Sequence, residues 1–159
     1  MAGRIRTGIG GWVYEPWRGS FYPSGLRQKD ELAYVGEHLT ATEVNATYYS
    51  SQKPATFANW AKAVPDGFQF AVKASRYCTN RKILAEAGES IAKFTGQGIA
   101  ELGDRLGPIL WQFMPTKRFD PDDFSAFLKL LPDAVDGVLL RHALEVRHES
   151  FDDPAFLEM

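Results

Sequence analysis

The sequence predicts an α/β protein built on a parallel sheet of about five strands. Three observations lead to this class. Short segments with alternating side chains recur along the chain, helix-type periodicity separates them, and no linker or low-complexity stretch interrupts the series. A helix that crosses over between two successive strands makes those strands parallel, and such crossovers are right-handed. With 159 residues the chain has the size of one domain, so we expect residues 1–159 to form a single domain.

Five segments carry the strand pattern. They are Arg4–Gly10, Thr42–Tyr49, Phe68–Ala74, Pro108–Met114 and Ala143–Arg147. In the last four, one face is apolar, and the other carries polar groups toward the C-terminal end. Strands buried on both faces read instead as continuous apolar runs. We therefore expect the polar groups of several parallel strands to point at one place, as in the site of a barrel enzyme.

Helical patterns lie between these strands. The predicted helices cover about Gln28–Leu39, Pro54–Val64 and Ser90–Leu102, with a fourth after Asp120 and a fifth opening at Asp153-Pro154. The fourth has the clearest start, because Asp120 suits the N-cap and Pro121 the first helical position. Its apolar stripe runs from Phe124 to Leu131.

Two architectures fit this order of elements. A (β/α)8 barrel needs roughly 250 residues, so the chain would hold about five of its eight units, with the C-terminal part missing. A five-stranded doubly wound parallel sheet is the alternative, and it would be complete near this length. The polar faces favour the barrel, because a sheet covered on both sides offers no suitable place for Glu43 and Lys73.

Six motifs in order carry a family resemblance. They are Gly10-Gly11-Trp12-Val13-Tyr14, Trp17-Arg18-Gly19-Ser20-Phe21-Tyr22-Pro23, Glu43-Val44-Asn45-Ala46-Thr47-Tyr48-Tyr49, Phe70-Ala71-Val72-Lys73-Ala74, Leu110-Trp111-Gln112-Phe113 and Glu145-Val146-Arg147-His148. The chain resembles the YecE-like family (domain of unknown function 72), which implies a TIM-like barrel and no established reaction. Two features depart from the family pattern. Asn80 follows Thr79 where the family usually has histidine, and the family's later strand motifs are absent.

Composition limits the classes of partner. The formal net charge of −2 gives no global attraction for nucleic acid, so any such binding needs a local basic patch. One cysteine, Cys78, allows no internal disulfide and fits a reducing compartment. The sequence shows no signal peptide and no membrane-spanning run, so we expect a cytoplasmic protein without a membrane partner. The three scattered histidines predict no metal site, and no cofactor is identified.

The predicted strands assign the site residues. Glu43, Glu145 and Lys73 are the candidate catalytic residues, the two glutamates acting as acid and base. The residues expected to orient a ligand are Asn45, Tyr48, Gln112, Arg147, Trp12 and Tyr14. Two structural alternatives remain open. The charged residues could form a salt-bridged layer that fills the barrel, and the aromatic loop of Trp12 and Tyr14 could cover the end of the core.

Three functional hypotheses follow. The first is a ligand-binding barrel of enzymatic type, a hydrolase whose substrate is a sugar or a phosphodiester. The second is a nucleic-acid-binding module that uses basic loops after the strands, namely Arg76, Arg81, Lys82, Lys117 and Arg118. The third is a truncated, inactive remnant. A truncated barrel would also leave two open strand edges, through which we expect self-association.

Overall fold

The computed structural model describes residues 3–159 and shows a five-stranded parallel sheet with helices. Its strands are β1 (Gly8–Gly10), β2 (Ala41–Val44), β3 (Gln69–Lys73), β4 (Leu106–Gln112) and β7 (His142–Glu145), in the spatial order β1-β2-β3-β4-β7. A separate antiparallel pair is formed by β5 (Ala134–Val135) and β6 (Val138–Leu139). Within the described residues the large sheet is open, with β1 and β7 at its two edges.

The doubly wound alternative is wrong. A doubly wound sheet reverses its strand order part-way, so that helices lie on both faces. Here the order is sequential, and right-handed crossovers that all run in one direction place the helices on one face. Residues 3–159 form an open sheet and no closed barrel.

Within residues 3–159, seven α-helices connect or follow the strands. They are α1 (Glu31–His38), α2 (Ala46–Tyr49), α3 (Pro54–Ala63), α4 (Arg76–Thr79), α5 (Gly88–Thr95), α6 (Pro121–Leu128) and α7 (Pro154–Leu157). The predicted start of α6 is confirmed, since the Asp120 side chain accepts hydrogen bonds from the backbone N–H groups of Asp122 and Asp123, both at 3.1 Å. The predicted helix at Ser90–Leu102 is divided, because Gly98 adopts a positive φ of 106° and a 3-10 segment, Ile99–Arg105, follows it.

The core lies between the helices and one face of the sheet. On that face Val44, Phe70, Val72, Ile109 and Trp111 are all fully inaccessible to solvent. Apolar residues of the helices complete this layer, among them Val35, Phe57, Ile91, Phe94, Phe124 and Phe127. The opposite face of the same strands is only partly buried. The alternation read from the sequence is therefore the alternation between the core and the uncovered face.

Some predicted boundaries are wrong for identifiable reasons. The first strand covers only Gly8–Gly10, because its partner β2 begins at Ala41 and pairs with Gly8. The hairpin of β5 and β6 was not predicted. Its turn residues, Asp136 and Gly137, have φ values of 48° and 79°, which is the backbone that an Asp-Gly hairpin turn favours.

Candidate functional site

The register of the sheet places four polar side chains on the uncovered face. Glu43 pairs with Ala71, so Lys73 lies one same-face position further along β3. The β3–β4 register keeps Lys73 and Gln112 on the same face, and Gln112 pairs directly with Glu145 on β7. We call Glu43, Lys73, Gln112 and Glu145 the polar row. It crosses the sheet diagonally near the C-terminal ends of four strands, where parallel α/β proteins place their ligand sites.

Glu145 is the best-anchored member of the polar row. Its Oε2 atom accepts a hydrogen bond from Nε2 of Gln112 at 2.7 Å, and its Oε1 atom accepts one from Nε of Arg147, also at 2.7 Å. Partial burial alone would raise the pKa of Glu145, but these two hydrogen bonds and the charges of Arg147 and Lys73 outweigh it and lower the pKa. Glu145 is therefore an ionised carboxylate at neutral pH.

Lys73 interacts with both carboxylates of the polar row. Its Nζ atom lies 3.6 Å from Oε1 of Glu43, and its charge also acts on Glu145. The ammonium group lies 5.5 Å from the ring centre of Tyr48, within the range of a cation–π contact. The Tyr48 hydroxyl accepts a hydrogen bond from Nδ2 of Asn80 at 3.0 Å. Lys73 is only 14% exposed, so it is held in place between these groups and still reaches solvent.

The predicted strand Thr42–Tyr49 is wrong beyond Val44. Asn45 has helical backbone angles, and Ala46–Tyr49 forms the single turn α2. Thr47 stabilises this turn, because its buried hydroxyl lies 2.7 Å from the carbonyl of Lys73 and 3.1 Å from that of Val44. Tyr48 consequently reaches Lys73 from a helical turn rather than from a strand. Asn45 lies beside the end of β1, where its Nδ2 atom would be 3.7 Å from a Cβ at Gly10.

The two aromatic residues of the first loop have different positions. The ring of Trp12 packs edge-to-face against Trp60 at 5.3 Å and Phe70 at 6.4 Å, which places it against the core. Tyr14 is 40% exposed, and its hydroxyl donates a hydrogen bond to the carbonyl of Gly10. Trp12 and Tyr14 also line a shallow cavity of about 250 Å³ together with Asn45. The loop thus covers the end of the core and contributes one wall of a cavity beside the polar row.

The predicted basic loops form a groove, but two of the cations are used within the protein. Arg81 donates to the carbonyls of Tyr77 and Glu86 and to the hydroxyl of Ser90. Lys117 donates to Asp123 at 2.8 Å and to the carbonyl of Lys82. Lys82 and Arg118 are exposed, and both line the same groove, which has a volume of about 720 Å³. Arg76 lies outside the groove lining and contacts the ring of Tyr77.

Cysteine and histidine contribute structure to this chain. Burial raises the pKa of Cys78 to about 12, so its thiol is neutral and unreactive at physiological pH. His142 accepts a hydrogen bond from the indole N–H of Trp111 at 3.0 Å and lies 3.0 Å from the carbonyl of Pro132. Residues 3–159 bring no three His, Cys, Asp or Glu side chains together in a group that could hold a metal ion.

Two structural features of this region were missed from the sequence. Thr47 connects α2 to the end of β3, but a threonine within an alternating segment gives no signal of that role. Arg18 forms an ion pair with the fully buried Glu31 at 2.7 Å. Glu31 directly precedes the apolar stripe of α1, where it resembled an ordinary first-turn acid. Only the packing of the aromatic loop over α1 shows that it is buried.

Comparison with known proteins identifies the family. The family described as protein of unknown function DUF72 matches residues 6–159. The chain belongs to the DUF72 family. This confirms the resemblance to the YecE-like group, which is the same domain of unknown function.

Members of the DUF72 family are similar to this chain over almost all of its length. The UPF0759 protein YunF of Bacillus subtilis (strain 168) is 26% identical over 160 aligned positions, which cover 97% of this chain and 54% of YunF. A crystal structure of a DUF72 family protein from Enterococcus faecalis V583 has a TM-score of 0.74 at 24% identity and covers 98% of this chain and 55% of that one. A second, from Thermotoga maritima MSB8, has a TM-score of 0.72 at 25% identity, with 95% and 58% covered.

These matches establish the α/β fold and the family. They also show that the chain spans about half the length of the relatives it matches. In the described part of the chain, no helix combines the length and the hydropathy needed to cross a bilayer.

Proposed function

We propose that the polar row is the centre of a hydrolase site for a sugar or phosphodiester substrate. The observation that supports this most directly is the position of Lys73 between two carboxylates, 3.6 Å from Glu43 and close enough to lower the pKa of Glu145. A cation between two acids keeps at least one of them ionised and can bind the polar or anionic group of a substrate. Buried ion pairs contribute little net stability, so a functional role explains this arrangement better than a structural one.

The roles of the two glutamates follow from their surroundings. Glu145 accepts two strong hydrogen bonds and is ionised, which suits a general base that activates water. Glu43 has fewer contacts and is the candidate acid. Three inter-strand spacings separate the glutamates, roughly 14 Å across a flat sheet, and the diagonal course of the polar row adds a displacement along the strands. We assign the inverting arrangement, in which the carboxyl groups are about 6.5–9.5 Å apart, because it is the wider of the two hydrolase geometries.

The remaining candidate residues would orient the substrate. Gln112 and Arg147 hold the Glu145 carboxylate, and Tyr48 holds the Lys73 ammonium group. Asn45 and Tyr14 line the adjacent cavity and can contact a group bound next to the row. The substrate is a small or phosphate-containing molecule that binds at the C-terminal ends of the strands.

Chromogenic substrates test this function. The 159-residue chain would be assayed with 4-nitrophenyl glycosides and bis(4-nitrophenyl) phosphate, alongside Glu145→Gln, Glu43→Gln and the exposed control Glu37→Gln. Loss of a general acid or base lowers kcat by about 10²–10⁴-fold. We expect this loss in the first two variants and an unchanged rate in the control. Full activity of Glu145→Gln contradicts the assigned roles, and no turnover of either substrate favours the inactive remnant.

A nucleic-acid-binding function is the second candidate, and the groove of about 720 Å³ favours it. Lys82 and Arg118 are its exposed cations, because Arg81 and Lys117 are engaged in internal hydrogen bonds. If single-stranded DNA binds there, the double variant Lys82→Ala/Arg118→Ala should weaken binding and reduce the slope of log K against log salt by about 1.4, or 0.7 for each phosphate contact.

Fluorescence anisotropy with a labelled oligonucleotide measures both quantities. The matched control is Lys29→Ala/Lys62→Ala, which removes two exposed lysines outside the groove. Equal effects of the two double variants would show that any binding is non-specific. No binding at low salt would exclude the function.

A further inference from the structure

A separate cavity of about 300 Å³ lies on the other side of α2 from the polar row. Three consecutive residues of α2 define its position. Tyr48 contacts the Lys73 ammonium group, whereas Thr47 and Tyr49 line the cavity. Residues of α4, α5 and the loop after α2 complete the lining. The cavity is thus outside the predicted site and uses none of its charged residues.

Hydroxyl groups dominate the lining of this cavity. Seven of its eleven lining residues carry a hydroxyl, five of them serine or threonine. Ser75 and Ser90 each accept a hydrogen bond, from the N–H of Tyr77 and the guanidinium of Arg81 respectively, and their own O–H groups remain as donors. Among residues 3–159, the hydroxyls of Tyr49 and Ser51 have no hydrogen-bond partner. Several donors and acceptors are therefore available to a ligand.

The cavity also has apolar surface in a form that suits a ring. Tyr49 and Tyr77 are 65% and 61% exposed, which is high for tyrosine rings that border a cavity. The floor includes Phe94, which is 2% exposed. Aromatic faces next to hydroxyl groups match a ligand with C–H surface on its faces and hydroxyls at its edge. A volume of 300 Å³ is at the small end of ligand pockets, enough for one such ring.

The charges around the cavity favour a neutral ligand. Its lining contains one cation, Lys93, and one carboxylate, Glu89, so the formal charges cancel. The nearby Arg81 uses its guanidinium group in three internal hydrogen bonds. Arg76 is the other cation at the rim, and its guanidinium contacts the ring and hydroxyl of Tyr77. An apolar ligand would leave many of the lining hydroxyls without a hydrogen-bond partner.

We propose that this cavity binds a single neutral sugar unit. Tyr49 and Tyr77 contact the faces of the sugar ring, and the serine hydroxyls with Lys93 and Glu89 bind its hydroxyl groups. The site is independent of the hydrolase proposed for the polar row, and each can fail without the other.

Titration of the ¹⁵N-labelled chain by NMR tests the site with four probes: D-glucose, D-galactose, D-ribose and inorganic phosphate. Each is added to about 50 mM, well above a millimolar Kd. We expect at least one sugar to shift the amide resonances of Tyr49, Ser51, Tyr77 and Lys93. No shift with any sugar, or shifts with phosphate alone, would overturn the proposal.

Variants separate ring contacts from hydroxyl contacts. Tyr49→Ala and Tyr77→Ala should each raise the Kd at least tenfold, whereas Tyr49→Phe should retain most of the affinity because the ring remains. Ser51→Ala should weaken binding, and its matched control, Ser24→Ala, changes an exposed serine outside the cavity. Glu145→Gln should leave the Kd unchanged. If it abolishes sugar binding, the sugar occupies the polar row and the assignment to this cavity is wrong.

Discussion

The two faces of the parallel sheet differ in what covers them. On one face, Val44, Val72 and Trp111 are fully buried beneath the helices. On the other face, Glu43, Lys73 and Glu145 retain between 14% and 36% of their side-chain exposure. Hydrophobic burial on the first face is sufficient to hold the strands together. The second face can therefore carry charges whose positions are not determined by stability.

Two ion pairs differ in how firmly their charged groups are held. Lys117 and Asp123 are 13% and 14% exposed and lie 2.8 Å apart, and further hydrogen bonds tie them to the loop after α4. Lys73 and Glu43 are 14% and 26% exposed and lie 3.6 Å apart. The first pair fastens two loops together, whereas the second leaves both groups able to exchange partners. We expect mutations to separate these roles clearly.

The largest effect is expected on the helix-covered face. Trp111→Ala removes a ring that packs against Phe94 and Phe127 and donates a hydrogen bond to His142. We expect a loss of about 3–5 kcal/mol in the free energy of unfolding. Leu110 directly precedes Trp111 and lies on the opposite face. Leu110→Ala should cost only about 1 kcal/mol because this side chain is partly exposed already. Urea denaturation measures both, and equal losses would contradict the comparison.

The ion pair of Lys117 and Asp123 should give the next largest effect. Asp123→Ala removes hydrogen bonds from Lys117 and from the backbone N–H of Ala85, at a cost of about 1.5–3 kcal/mol. Burial alone would raise the pKa of Asp123, but these hydrogen bonds lower it. A lowered pKa in the folded state adds stability above the unfolded value near 3.8, and this stability is lost as the pH falls through the folded value.

Thermal melts at pH 7 and pH 3 check the pH dependence of Asp123. The wild-type chain should lose more stability over this interval than Asp123→Asn, which has no charge to lose. Identical pH profiles would mean that the pair does not fasten the loops.

A smaller effect is expected at the start of α6. Asp120→Ala removes the N-cap that accepts from Asp122 and Asp123, for a loss of about 0.5–2 kcal/mol. Asp120→Asn keeps a capping oxygen and should lose much less. If both variants lose equal stability, the charge of Asp120 contributes more to the stability than its capping hydrogen bonds do.

Sequence reasoning reached the fold class because its evidence is local. Alternation and helical periodicity predicted which face of β3 is buried, and parity placed Glu43 and Lys73 on the same side. It failed where distant contacts decide the backbone. After β2 ends at Val44, the turn α2 is held by Thr47, whose hydroxyl donates to the carbonyl of Lys73 at the end of β3. The hydroxyl-lined cavity was missed for the same reason, since its walls come from α2, α4 and α5, which are separate segments of the sequence.

The smallest effect is expected on the polar row, and it distinguishes a functional site from a structural layer. Glu43→Gln removes the charge opposite Lys73 and retains the shape of the side chain. Exposed or partly exposed pairs contribute about 0–1 kcal/mol, and at 3.6 Å this pair has no short hydrogen bond to lose. We therefore expect urea denaturation of Glu43→Gln to match wild type within about 1 kcal/mol. A loss above about 2 kcal/mol would show that the row fills and stabilises the sheet face, because an unpaired Lys73 would then be strongly destabilising. The matched control is Glu37→Gln on α1, which should change stability by no more than about 0.5 kcal/mol. If Glu43→Gln is as stable as this control but inactive on the chromogenic substrates, the carboxylate serves chemistry rather than folding.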